Sequence, residues 1–172
     1  YINAYNAWTI KLILENYPGV ASIKDLGSLF QSPWKKKFVK IKAATMTLDH
    51  IEHEILRPAY KDPRIHFAVN CASRSCPPLQ AEPFTGANLE RQLEAAAISF
   101  INAPQSTFIK GERLYVSRIF KWFGEDFGND ILGYVRSYAR GDLAKQIANS
   151  GKSLNIKYLD YDWSLNDTTP KS

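Results

Sequence analysis

The sequence predicts an α+β fold, a single domain over residues 1–172 with a small mixed sheet and helices around it. Three observations predict it. Segments with helical spacing are interspersed with short β-branched and aromatic segments, without the regular strand–helix period of a parallel α/β fold. Hydrophobic residues make up 45% of the chain, and four Trp, nine Tyr and nine Phe supply the bulk for a substantial core. No glycine-rich phosphate loop follows any strand-like segment, which argues against a nucleotide-binding fold.

The opening segment, YINAYNAWTIKLILENYPG, carries apolar residues at Ile2, Tyr5, Trp8, Leu12 and Ile13, a helical spacing that Pro18 and Gly19 stop. Ser22 to Phe30 reads as a short helix or turn. Lys37 to Lys42 alternates as a half-buried strand does. A second helix is expected over Leu48 to Arg57: Thr47 caps its free N–H groups, Asp49 and Glu52 suit its positive end, and Pro58 ends it. Arg64 to Asn70, RIHFAVN, reads as a strand, and CASRSCPPLQAEPF after it as a loop. Thr85 is placed to cap a third helix running to about Asn102, before Pro104. Thr107–Ile109 and Arg113–Val116 flank Lys110–Gly111–Glu112 as a hairpin. Short helices over Arg118–Phe123, Asp130–Ala139 and Leu143–Ala148 precede a final strand carrying Leu154, Ile156 and Tyr158.

The net charge is +5, mild enough to suit an anionic ligand, membrane headgroups or simple solubility. No apolar run approaches the roughly 20 residues of a membrane span, so no transmembrane segment is expected. Trp34, Lys35, Lys36, Lys37 and Phe38 superficially suit nucleic acid. Three lysines without a larger basic field read instead as a solvated turn, and nucleic-acid binding is not expected. The chain begins at Tyr1 within a helical pattern, so it reads as a processed or truncated fragment whose N-terminal part, with any signal peptide, lies outside it.

Reactive side chains are densest in His66–Phe–Ala–Val–Asn70–Cys71–Ala–Ser73–Arg74–Ser75–Cys76–Pro77–Pro78. A cysteine where a strand gives way to a loop has backbone N–H groups nearby to hold a thiolate or an oxyanion. The catalytic reading makes Cys71 the nucleophile, His53 or His66 the base, and Asn70 or Glu52 the orienting group. On a regular strand His66 and Asn70 share a face that Cys71 does not, so His66 serves Cys71 only if the strand ends or bulges first. Asn3 and Asn6, three apart on the first helix, hold either a substrate amide or the backbone of the Cys71 loop, and Ser73 and Arg74 complete the substrate-binding candidates. Three other readings use the same atoms. Cys71 is a small buried hydrophobe; Cys71 and Cys76 form a disulfide; or the two cysteines with His50 and His53 make a nominal Cys₂His₂ set. No metal or other cofactor is expected.

The runs YINAYNA, TLDHIEHEILR, DPRIHFAVNCASRSCPPL and LDYDWSLN together resemble the family of domain of unknown function 547. The signature carried over comprises Asn3, Tyr5, Asn6, Glu52, His53, His66, Asn70, Cys71, Ser73, Cys76 and Pro77. His50 stands outside it, which weakens the zinc reading. The resemblance implies an exported bacterial protein, periplasmic, secreted or membrane-attached, and it carries no agreed activity. A looser likeness to papain-like and transglutaminase-like folds would put a histidine on the HFAV strand, with Asn3 and Asn6 where those folds have a cysteine. The expected function is a Cys71-dependent hydrolase or acyl transferase acting on an amide, ester or thioester. The alternative is a non-catalytic domain that binds a small molecule, peptide, glycan or protein through a structural Asn/His/Cys cluster.

Overall fold

Residues 1–150 and 154–167 are described by the computed structural model, and they form an α+β fold. Two compact units divide the chain. The first comprises Tyr1–Lys61, Ala68–Phe84 and the closing segment from Asp162; the second comprises Asp62–Phe67 and Thr85–Tyr161.

In the first unit, helix α1 (Ile2–Leu14) buries Ile2, Tyr5, Asn6, Thr9 and Ile13, the stripe its spacing predicts. It ends before Pro18, and Asn16 Nδ2 donates back to Leu12 O at 2.8 Å to satisfy a terminal carbonyl. A 3₁₀ turn, Ile23–Leu26, is fixed by a reciprocal cap between Ser22 and Asp25. Strand β1 (Val39–Ile41) lies within the expected strand and pairs antiparallel with β2 (Ala44–Met46). No apolar alternation marks β2, whose Ala44 and Thr45 are exposed. Thr47 caps the next helix as expected, its Oγ1 accepting the His50 N–H at 2.8 Å.

That helix departs from expectation in two ways. His50–Leu56 winds as a π-helix, and Pro58 does not end it, because α2 (Arg57–Tyr60) follows directly. Pro58 falls in the first turn of α2, where its missing N–H costs little. Lys61, with φ 48°, closes it. The closing segment seals the unit: Leu165 N–H donates to Ala21 O at 2.8 Å, Asn166 N–H to Ala72 O at 3.0 Å, and Leu165 is buried with Ile13, Ile23 and Ala72.

The second unit opens on Pro63–Phe67, which is a 3₁₀ helix and not the start of the expected strand. Pro63 fixes φ near −65°, and Asp62 Oδ1 accepts the Arg64 N–H at 2.9 Å, so the run turns. Ile65, His66 and Phe67 are then buried in succession along this turn. A 3₁₀ turn, Gly86–Asn88, precedes α3 (Leu89–Ile101). Thr85 does not cap that helix with its side chain; its N–H donates to Gln92 Oε1 at 2.9 Å. Strands β3 (Thr107–Lys110) and β4 (Arg113–Val116) form the expected hairpin about Gly111, whose φ is +59°. Helices α4 (Ile119–Trp122), α5 (Ile131–Tyr138) and α6 (Gly141–Asn149) match the three predicted short helices. Strand β5 (Asn155–Tyr158) pairs parallel with β4, so the sheet is mixed. Phe67, Phe100, Leu114, Val116, Phe120, Phe127 and Val135 fill the core of this unit.

Candidate functional site

The Cys71 loop belongs to the first unit, and α1 fixes its entry. Asn6 is buried on α1, where an unbonded amide would be costly. Its Nδ2 donates to Ala68 O at 2.9 Å and its Oδ1 accepts the Asn70 N–H at 2.8 Å. Asn3 does the same one turn earlier: Nδ2 donates to Phe84 O at 2.8 Å and Oδ1 accepts the Phe84 N–H at 2.9 Å. The two amides therefore bracket both ends of Ala68–Phe84. Of the two roles expected for them, the backbone bracket is the one formed.

Within the loop, Asn70 works as a clasp. Its Oδ1 accepts the Ala72 N–H at 2.7 Å, and its Nδ2 donates to Pro77 O at 2.7 Å. The Asn70 turn carries Ala72 into the left-handed region at φ 60°. Cys71 and Cys76 are joined as a disulfide, their Cα atoms 6.3 Å apart. Cys71 N–H donates to Cys76 Sγ at 2.9 Å, and Ser73 Oγ lies 3.1 Å from Cys71 Sγ. On the outer side, Arg74 N–H donates to Ser164 O at 2.9 Å and Ser75 N–H to Asp162 O at 3.2 Å, while Ser75 Oγ accepts the Asp162 N–H at 2.9 Å. Arg74 turns its Nε toward Leu165 O at 3.5 Å.

These contacts bear on the chemistry expected here. A disulfide sulfur is no thiolate, so Cys71 as it stands is not a nucleophile. The loop N–H groups expected to hold an oxyanion are already donating: Cys71 to Cys76 Sγ, Ala72 to Asn70, Arg74 and Ser75 to the closing segment, and Cys76 to Ser73 O at 3.1 Å. The oxyanion expectation is corrected accordingly, because a hole needs donors aimed at empty space. The disulfide also takes both sulfurs from the Cys₂His₂ reading. Among the described residues, no three His, Cys, Asp or Glu side chains gather as metal ligands would.

The π-helix supplies Glu52 and His53. Glu52 is buried, and desolvation raises its pKa; His53, a hydrogen bond from Tyr5 and Arg57 work in the opposite direction. Tyr5 lies between Asn3 and Asn6 in the sequence of α1, so this helix serves the loop and the carboxyl together. His53 is half-buried, with Nδ1 3.3 Å from Arg57 Nη1 and Nε2 3.8 Å from Asp49 Oδ1. His50 Nδ1 reaches Glu54 at 2.9 Å.

His66 lies in the second unit. Its Nε2 is 2.7 Å from Asp126 Oδ2, and its ring stacks on Phe123 with centroids 3.9 Å apart. Only 1% of the side chain is exposed. Asp126 is the residue that sequence reasoning missed. It lies 60 positions away in the run GEDFGND, where neither spacing nor motif marks it.

Comparison with family models matches residues 1–101 to the family described as "Protein of unknown function, DUF547". No curated protein and no solved structure matches the chain.

Proposed function

Since the chain belongs to the DUF547 family, for which no activity is established, we propose that it is a non-catalytic binding module of an oxidising compartment, periplasmic or secreted. In this reading the Asn/Cys loop is a structural bracket that holds a recognition surface for a small molecule, peptide or protein. One observation carries it: the sulfur of Cys71 and the N–H groups of Cys71, Ala72, Arg74, Ser75 and Cys76 are committed to bonds within the first unit. A site built to meet a substrate keeps such groups preorganised and available. The disulfide supports the compartment, because disulfides persist where the surroundings are oxidising.

A second reading has one contact in its favour. Ser73 Oγ, 3.1 Å from Cys71 Sγ, can donate to a thiolate once the disulfide is reduced. Cys71 would then act as a thiol hydrolase or acyl transferase, with His53 as base and Glu52 orienting it.

Iodoacetamide labelling of each cysteine, followed by peptide mass spectrometry with and without reductant, separates the two. The binding module leaves both cysteines unlabelled until reductant is added. Once reduced, Cys71 labels no faster than an ordinary thiol, and His53→Ala leaves the rate unchanged. Rapid labelling of Cys71 well below about pH 8.5, lost in His53→Ala, would establish the thiol enzyme instead.

A further inference from the structure

We propose that the turn at Ser28–Gln31 docks the protein on an anionic lipid bilayer, with Leu29 and Phe30 entering the interface and the neighbouring lysines meeting the headgroups. This rests on a different part of the chain from the Cys71 loop, and it holds whether that loop is a bracket or a catalytic site.

The first observation is exposure. Leu29 and Phe30 are each 98% exposed. Single exposed hydrophobics are ordinary, but an adjacent Leu–Phe pair fully in solvent is not. The second is that the turn is braced. Ser28 N–H donates to Gln31 O at 2.9 Å and Gln31 N–H to Ser28 O at 3.3 Å, while Ser28 Oγ accepts the N–H groups of Phe30 and Gln31. Gln31 Nε2 reaches Lys35 O at 3.4 Å, and Lys36 Nζ donates to Leu26 O across the base. Gly27 allows that closure, because a Cβ there would sit 2.9 Å from the Pro33 ring and 3.0 Å from Gln31 O. A turn held this way displays its two apolar side chains at small entropic cost when they bind.

The third observation is charge. Residues 16–48 contain six lysines (Lys24, Lys35, Lys36, Lys37, Lys40 and Lys42) against the single acid Asp25. Elsewhere the chain has 16 basic and 16 acidic residues, so this segment accounts for the whole net charge of +5. Asp25 itself is turned to the N–H groups of Ala21 and Ser22. Lys35 and Lys37 are exposed beside the turn. An anionic partner is the complement.

Among anionic partners the bilayer fits best. Single-stranded nucleic acid is gripped by successive aromatic faces, and this turn offers one, Phe30. Trp34 packs edge-on against Trp163, which also carries Lys24 4.0 Å above its ring, and Phe38 packs against Trp8. Leu29 has no π-face, and an aliphatic tip next to an aromatic one with lysines around it matches the headgroup–acyl boundary.

The test is co-sedimentation of the protein with vesicles of phosphatidylcholine containing about 30% phosphatidylglycerol, set against phosphatidylcholine alone. Binding is expected only to the anionic vesicles and should fall as salt rises. The double variant L29S/F30S should weaken it by about tenfold or more, and K35Q/K37Q by roughly thirtyfold. All four positions are exposed, and unchanged circular dichroism verifies the fold of each variant. The proposal is overturned if anionic vesicles do not bind, or if L29S/F30S binds them as well as the parent does. It is also overturned, in favour of nucleic acid, by a protein that ignores vesicles and binds a single-stranded oligonucleotide.

Discussion

Asn6 Oδ1 accepts the backbone N–H of Asn70 at 2.8 Å, and through that bond helix α1 sets where the Cys71 loop begins. The same amide donates to Ala68 O, and both backbone groups are buried. Asn6→Ala leaves a buried donor and a buried acceptor without partners. The expected loss is about 2–4 kcal/mol, read as the change in urea midpoint. Asn3→Ala, at an exposed bracket, should cost about 1 kcal/mol or less. Equal losses at the two sites would show that burial does not set the cost.

The disulfide closes a short loop, its cysteines five apart in sequence. Chain entropy alone assigns such a link about 2 kcal/mol. Cys76→Ser should therefore lower stability by about that amount, and reductant should lower the parent similarly while leaving the variant unchanged. Guanidinium melts with and without reductant measure both.

Glu52 gives the first unit a pH dependence of defined sign. Burial raises its folded pKa above the ordinary value of 4.5. The folded state therefore binds this proton more tightly than the unfolded chain does. The associated stability is fully present below pH 4.5 and is lost as pH rises through the folded value. Glu52→Gln mimics the protonated form. Its thermal midpoint should exceed the parent's at pH 8 and approach it at pH 4, as scanning calorimetry at the two pH values would register.

How much of this was legible in the sequence differs from element to element. Helices α1, α5 and α6 and the β3–β4 hairpin were readable because their periodicity and turn residues act locally. Strand β2 was not, since Ala44 and Thr45 face solvent and leave no apolar alternation. The supposed strand at Arg64–Asn70 has the composition of one, yet Pro63 and the Asp62 side chain redirect it. At the site, the signature located Asn6, Asn70, Cys71 and Cys76 and left bracket, disulfide and nucleophile open. The choice depends on distances across the loop. Asp126 was illegible because its only signal is a contact with a histidine 60 residues away.

His66 and Asp126 should act as a stability pair in the second unit. His66→Ala removes a buried ring stacked on Phe123 and its 2.7 Å contact with Asp126, for an expected loss of about 3 kcal/mol. Asp126→Asn keeps the shape and one acceptor, and should cost about 1 kcal/mol. Near-UV circular dichroism alongside chemical melts checks both, because Phe123, Phe127 and Tyr134 lie in this aromatic group.

The first unit is assembled from three separated stretches of chain, and its last piece includes Leu165, which is hydrogen-bonded to Ala21 and bridged to Ser73. During synthesis α1 and the cysteine loop emerge long before that piece exists. Until then the backbone groups of Ala21, Ala72 and Arg74 face water, and Ile13 and Ile23 lack the leucine that covers them. A nonsense mutation a few codons upstream of Leu165 would therefore leave α1 and the cysteine loop in place but unsealed, a natural target for quality-control proteases.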